Sequence, residues 1–260
     1  MRAHQKCLQL LEEMKRNGPS PNLQCYASAI TACGRGGDPT SAMSLLAEME
    51  QEGIYPNLVS INAAMDACGR GGDPDSALSL LRSMGEVYGI QPNLVSHNIV
   101  ISALSRAGRA KEARDLLTEM SSKGIKPDKV SYSATIQGFA TSGDRRAASA
   151  LRVQMEGSGL EMDESAYEAA VSVFAKAGDA IGAVKVIKEM EGKGMVPSVV
   201  MYNRALEACG REGKPDVAER VLMRMHTQGK STTGCMEGAV VSFTNGFKAG
   251  HTDSISNQML

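Results

Sequence analysis

From Leu23 onward the chain copies itself: LQCYASAITACGRGGDPTSAMSLLAEMEQEGIYPN at 23–57 is followed at 58–93 by LVSINAAMDACGRGGDPDSALSLLRSMGEVYGIQPN. A period of this length constrains the fold more than any single motif, because so short a unit cannot bury its apolar face alone and must stack on its neighbours. The first of these units has 35 residues and the second 36, and further units of 35 residues follow at 94–128, 129–163 and 164–198. Residues 1–22 read as the second half of another unit, 199–229 as a degenerate last unit, and 230–260 as an irregular tail.

Each unit carries two apolar stripes at spacing i, i+3, i+4, i+7, which sets four side chains on one helix face. Tyr26, Ala29, Ile30 and Cys33 form the first stripe and recur in phase as Ile61, Ala64, Met65 and Cys68, then as His97, Val100, Ile101 and Leu104. Ala42, Leu45, Leu46 and Met49 form the second and recur as Ala77, Leu80, Leu81 and Met84, and as Ala113, Leu116, Leu117 and Met120. Within a unit, Asp38-Pro39 and Asp73-Pro74 supply a helix cap followed by a proline tolerated in the first turn, and Gly108, Gly143, Gly178 and Gly213 stand at the matching reversal. Endings such as Gly53-Ile-Tyr-Pro-Asn57 stop one helix and extend the chain before the next. The pattern predicts helices over 23–34, 39–52, 58–69, 74–87, 94–106, 110–123, 129–140, 145–157, 164–176, 180–192, 199–210 and 215–227, stacked as an all-α solenoid of helical hairpins. In the tail, Ala239 to Phe243 is open to a short strand or to irregular structure.

Composition narrows the function classes. Hydrophobic residues make up 42% and charged residues 22%, ordinary for a folded chain, while aromatics at 4% without tryptophan disfavour a sheet-rich sandwich. With 28 Lys and Arg against 29 Asp and Glu the chain is no strongly basic domain, although a local row of cations is compatible with that total. No run approaches 18 apolar residues, so membrane insertion is not expected. The start, MRAHQKCLQLLEEMKRNG, has no signal-peptide core, and Glu12 and Glu13 argue against an ordinary transit peptide.

Nothing in the chain forms a catalytic constellation. Cys33, Cys68 and Cys209 follow the repeat as packing residues, Cys7 sits on a second-helix stripe, and Cys25 and Cys235 lack a catalytic partner. His97 reads as a packed stripe residue, and His4, His226 and His251 are scattered. GRGGD at 34–38 and 69–73 lacks the lysine and hydroxyl residue of a phosphate-binding loop, and no carboxylate cluster suits a metal-dependent nuclease. A non-enzymatic protein without cofactor or metal is expected.

The combination of YxxxI, a glycine at the helix turn, Ala-x-x-Leu-Leu-x-x-Met and a closing Gly-Ile-x-Pro-Asn/Asp resembles the pentatricopeptide repeat family over residues 1–229. The tetratricopeptide class is the nearest alternative, at 34 residues, but the interval here and the Pro-Asn/Asp endings favour the former. The resemblance implies a right-handed α-α superhelix that binds single-stranded RNA in a chloroplast or mitochondrion, in RNA processing, stabilisation or translation, with protein partners in such a complex. The alternative on the same scaffold is protein–protein interaction.

By the same resemblance, bases are read by one residue early in the first helix and one at the repeat end. These map to Asn62 with Asn93 for cytosine or uracil, Asn98 with Asp128 for uracil, and Ser133 with Asp163 for guanine; Asn203 begins a pair whose end, Thr233, is degenerate. Ala27 with Asn57 and Glu168 with Ser198 depart from familiar pairs. Val59, Val95, Val130 and Val200 resemble the family's base-flanking residues. From residue chemistry alone, these polar groups suit either base edges or helix caps, and the valines either base contact or packing. Arg35, Arg70, Arg106, Lys176 and Arg211, near the ends of first helices, suit both phosphate contact and the helix dipole; the row is broken by Thr141.

Overall fold

The residue that ends each repeat also starts the next helix. Asn22, Asn57, Asn93, Asp163 and Ser198 each accept, through the side chain, the backbone N–H of the third residue of the helix that follows, and Asp128 does the same for Ser131 at 2.9 Å. Such a cap satisfies one of the orphan donors of a helix start. Asp38, Asp73, Asp144 and Asp179 cap the second helices in the same way. Arg109 and Lys214 stand at that position in other repeats and provide no such bond.

In the computed structural model, which describes residues 3–228, these signals delimit thirteen helices: α1 (Ala3–Asn17), α2 (Leu23–Gly36), α3 (Pro39–Gln51), α4 (Leu58–Arg70), α5 (Pro74–Val87), α6 (Leu94–Arg106), α7 (Ala110–Ser122), α8 (Lys129–Ser142), α9 (Arg145–Gly157), α10 (Glu164–Lys176), α11 (Ala180–Gly192), α12 (Val199–Glu212) and α13 (Pro215–Thr227). The described residues contain no strand, and the expected tail at 230–260 lies outside them. Observed bounds depart from the expected ones by no more than two residues, and α2, α8 and α12 run on to their full length because the reversing glycine comes only afterwards.

Second helices close by a shared device. Ile54 N–H reaches back to Met49 C=O at 2.9 Å, with Gly53 at φ +70° between them, and Ile125 repeats this with Met120 at 2.9 Å across Gly124 at φ +78°. The left-handed glycine lets the chain turn sharply while satisfying carbonyls the helix end leaves open.

The described residues fall into two compact units that divide between Gly138 and Phe139, inside α8. In the first unit the first helices of successive repeats pack on one another, α2 on α4 and α4 on α6, while α3 and α5 close against both the helix before and the helix after. The second unit repeats the scheme, with α10 on α11 and α12 and α11 on α12. Its core is the predicted stripes: Ile30, Met49, Ile61, Met65, Met84, Ile101 and Leu104 are wholly buried in the first unit, and Tyr167, Ala170, Tyr202 and Met225 in the second. Buried tyrosines keep their hydroxyls paired, Tyr26 to Glu48 at 2.7 Å and Tyr202 to Glu191 at 2.7 Å.

Candidate nucleic-acid interface

Asn62 and Asn93 meet at one serine. Ser96, the third residue of α6, places its Oγ 2.8 Å from Asn62 Oδ1 and 3.1 Å from Asn93 Oδ1, and accepts the Asn93 backbone N–H at 3.3 Å. One repeat on, Ser131 Oγ lies 2.6 Å from Asn98 Oδ1 and 2.9 Å from Asp128 Oδ1 and accepts the Asp128 N–H at 3.1 Å. A hydroxyl has one hydrogen, so each serine shares it between two acceptors. Asn98 Nδ2 in turn donates to Asp128 Oδ1 at 3.0 Å, which fixes the amide with its oxygen on the serine and its nitrogen on the carboxylate.

Ser96 and Ser131 are fully buried, whereas Asn62, Asn93, Asn98 and Asp128 are half-buried and keep part of their surface open to solvent. Burial would raise the Asp128 pKa, but the Ser131 N–H and hydroxyl and the Asn98 amide outweigh it and hold the carboxyl below the usual carboxylate range. It is therefore an acceptor only at neutral pH. The second predicted pair presents an amide donor beside a carboxylate acceptor.

Val59, Val95, Val130 and Val200 are 60%, 54%, 52% and 48% exposed, although the residue after each, Ser60, Ser96, Ser131 and Met201, is completely buried. Each valine precedes by three residues the polar position of its own helix, the spacing of side-chain neighbours. An apolar surface beside hydrogen-bonding groups offers what a splayed base requires, a contact for its face and partners for its edge.

The other predicted positions differ. Ser133 belongs to the first unit, is buried, and bonds its own helix at Val130 C=O over 3.3 Å; Asp163 belongs to the second and caps α10 through Ala166 N–H at 2.9 Å. Asn203 Oδ1 is buried without a hydrogen-bond partner among the described residues, and Thr233 lies outside them. Ala27 is buried, so Ser60, which completes the cap of Asn57 and bonds its C=O at 2.9 Å, has no polar side chain to meet from the repeat before. Glu168 is engaged by Arg204 at 3.7 Å.

The cations are all exposed at the C-terminal ends of first helices, where the helix dipole favours them. Arg70 is held by Asp66, its Nε 2.9 Å from Oδ2, and Arg211 spans from Ala175 C=O at 3.2 Å to Glu207 at 3.3 Å. Arg35, Arg106 and Lys176 form no ion pair among the described residues. The described residues include no group of three or more His, Cys, Asp or Glu that could hold a metal, and no helix among them is long and apolar enough to cross a membrane.

Ser96 and Ser131 were not among the residues the repeat pattern singled out. Their signal is present as Asn-Leu-Val-Ser at 57–60 and 93–96 and Asp-Lys-Val-Ser at 128–131, a serine always two residues before the candidate position of its own helix.

Family models match most of this length: that of the PPR repeat family at 56–106 and 92–141, and that of the pentatricopeptide repeat domain at 9–71, 150–212 and 185–235. No curated protein matches the chain. Among solved structures, the pentatricopeptide repeat protein PPR10 from maize is similar at 25% identity and TM-score 0.72, over 99% of this chain and 37% of that one. PPR10 in complex with an 18-nt psaJ RNA element is similar at 22% identity and TM-score 0.56, over 94% and 41%. The PPR domain of Arabidopsis thaliana protein-only RNase P 1 in complex with tRNA gives 19% and 0.55, over 77% and 98%. The latter two are likenesses of fold, and the chain spans well under half the length of the PPR10 structures.

Proposed function

This chain belongs to the pentatricopeptide repeat family, and from that premise we propose that it binds single-stranded RNA without catalysing a reaction, reading bases through the edge where Asn62 with Asn93 and Asn98 with Asp128 converge. The observation that carries this reading is the juxtaposition in successive repeats of an exposed valine with a polar pair of fixed geometry. Asn98 Nδ2 and the Asp128 carboxylate complement uracil, whose N3–H donates beside carbonyls that accept. Asn62 with Asn93 suits a pyrimidine, and Ser133 with Asp163 is assigned to guanine on the family pattern. Arg35, Arg106 and Lys176, unspent on local carboxylates, are the better candidates for phosphate contact than Arg70 and Arg211. That PPR10 has been solved with an RNA element and a related domain with tRNA supports the class of ligand.

The biological setting we propose is a chloroplast or mitochondrion, in RNA processing, stabilisation or translation, with further protein partners. Selection from a randomised single-stranded RNA library, against matched single-stranded DNA and across a salt series, tests the reading. Enrichment of a pyrimidine, uracil and guanine in register is expected, with affinity falling by a log–log slope of about 0.7 per phosphate neutralised. A folded chain that selects no RNA would instead favour a protein-binding scaffold.

A further inference from the structure

Three serines occupy the same place in the first unit, the third residue of α4, α6 and α8, and their surroundings differ in one respect. Ser60, Ser96 and Ser131 are all fully buried, and all close a reciprocal cap with the repeat-end residue before them, Asn57, Asn93 and Asp128. Only Ser96 and Ser131 also reach back to the reading position of the preceding repeat, Asn62 at 2.8 Å and Asn98 at 2.6 Å; for Ser60 that position is Ala27. Capping alone does not require the second contact, because Ser60 caps without it.

An asparagine amide is ambiguous as a reader, since one half-turn of its terminal torsion exchanges a donor for an acceptor. A hydroxyl hydrogen aimed at Oδ1 removes the ambiguity. It occupies the oxygen and leaves Nδ2 as the group available to a ligand. We infer that Ser96 and Ser131 are specificity-positioning residues, each orienting the asparagine of the preceding repeat as a hydrogen-bond donor and so biasing that repeat toward bases with an acceptor at the contacted edge. The inference rests on the RNA reading above.

For Asn62 and Asn93 it has a sharper consequence. Asn93 Oδ1 is taken by the Ser96 N–H at 3.0 Å as well as by the hydroxyl, so both asparagines offer nitrogen. Two donors match the O2 and N3 acceptors of cytosine, whereas uracil presents a donor at N3. Ser96 thus tilts this repeat to cytosine over uracil. Asn98 is fixed as donor by Ser131 on its oxygen together with the Asp128 carboxylate on its nitrogen, while Asp128 remains an acceptor, and that repeat keeps uracil. In the second unit the position that would reach back to Glu168 is Met201, which supplies no hydroxyl, so Glu168 lacks this constraint.

The test measures dissociation constants of the full chain for a selected RNA and for its substitution panel, every position carrying each base in turn. Ser96→Ala is expected to lower discrimination at one nucleotide by about three- to tenfold, the loss of one oriented hydrogen bond, and Ser131→Ala to do so at the adjacent nucleotide. Ser60→Ala, which removes the same kind of cap, leaves the discrimination profile unchanged, and Ser96→Thr retains it. Should Ser96→Ala fail to fold, Ser96→Cys keeps the volume, gives up the strong donor and reads the same ratio. Wild-type discrimination that survives Ser96→Ala in a folded chain, or that falls equally in Ser60→Ala, overturns the positioning role and leaves the RNA reading standing. A wild-type chain that binds RNA without discriminating bases overturns the reading, and the positioning role with it.

Discussion

Asn98 and Asp128, 30 residues apart in sequence, share a hydrogen bond of 3.0 Å, and the same carboxylate oxygen caps α8 at the Ser131 N–H, 2.9 Å away. One group therefore serves helix initiation and the candidate reading edge together. Asp128→Asn retains a good cap, because asparagine and aspartate cap about equally well, but it replaces an acceptor-only group by one that also donates. The expected outcome is near-native melting with preference at that nucleotide moving from uracil toward cytosine. Melting curves and competition binding check both halves, and an unchanged base preference would remove Asp128 from the reading edge.

Asn62→Ala together with Asn98→Ala isolates recognition from the other side. Both residues stand outside the apolar stripes and neither caps a helix, so base selectivity should change far more than helicity or melting temperature. Circular dichroism beside competitive RNA binding separates the two. Loss of helicity with no change in selectivity would show the asparagines to be structural.

Capping carboxylates also predict an acid limit. The Asp73 carboxyl is held below its ordinary value of 3.8 by the Ser76 hydroxyl and N–H, and Asp38 likewise by the Ser41 N–H. A pKa lower in the folded than in the unfolded chain means that folding favours the ionised form. The stabilisation is complete above the unfolded pKa and disappears as pH falls through the folded one. Unfolding free energy measured by denaturant titration should therefore drop between about pH 5 and pH 3, and more gently in Asp73→Asn. Equal acid slopes in the two proteins would contradict this.

Helix positions were legible in the sequence because the same weak signals recur in phase: α5, α6, α9, α10, α11 and α13 start and stop at the expected residues. The cysteine and methionine stripes were legible for the same reason, being fixed by helical spacing. The candidate reading edge was legible only in part. The family resemblance picks out Asn98 and Asp128, but the serine between them lies on the first helix of the next repeat, and its contact with Asn98 depends on how two repeats stack, a distance that no period within one repeat encodes. Nor does the regular placement of Arg35, Arg70 and Arg106 distinguish them, since whether a cation is spent depends on a neighbour such as Asp66 one turn earlier.

Cysteine chemistry offers a probe of the packing. Burial, reinforced by the nearby charges of Asp38, Asp73 and Glu212, pushes the thiols of Cys33, Cys68 and Cys209 up to about 11. At pH 8 the thiolate fraction is then on the order of one in a thousand, and the sulfurs are also inaccessible. Among the described cysteines, alkylation followed by peptide mass spectrometry should modify the half-buried Cys7 and Cys25 first and reach Cys33, Cys68 and Cys209 only as the fold opens. Early modification of Cys68 would contradict the burial of its helix face.

Repeat stacking in the first unit depends on how closely α4 approaches α6. A methyl group added to Gly69 would lie 2.7 Å from the Ala103 side chain and 3.1 Å from Arg106 Nη2, and the first of these is a methyl on a packed helix with nowhere to retreat. Gly69→Ala should therefore destabilise by about 1 to 3 kcal/mol, the cost of overpacking, despite the better helix propensity of alanine, worth about 1 kcal/mol. Leu116→Ala fails in the opposite way, leaving a cavity in the α7 stripe at a cost of about 2 to 5 kcal/mol. Gly53→Ala strains a left-handed turn at φ +70° that meets no neighbour, so its effect is confined to the backbone. Denaturant unfolding of the three variants distinguishes these causes. Gly69→Ala should also weaken RNA discrimination at the Asn62 nucleotide, since forcing α4 away from α6 lengthens the contact between Asn62 and Ser96, whereas Leu116→Ala at matched stability should not. Stabilisation of the fold by Gly69→Ala would show that the helices can separate freely, and the fixed spacing on which the proposed reading edge depends would then lose its physical basis.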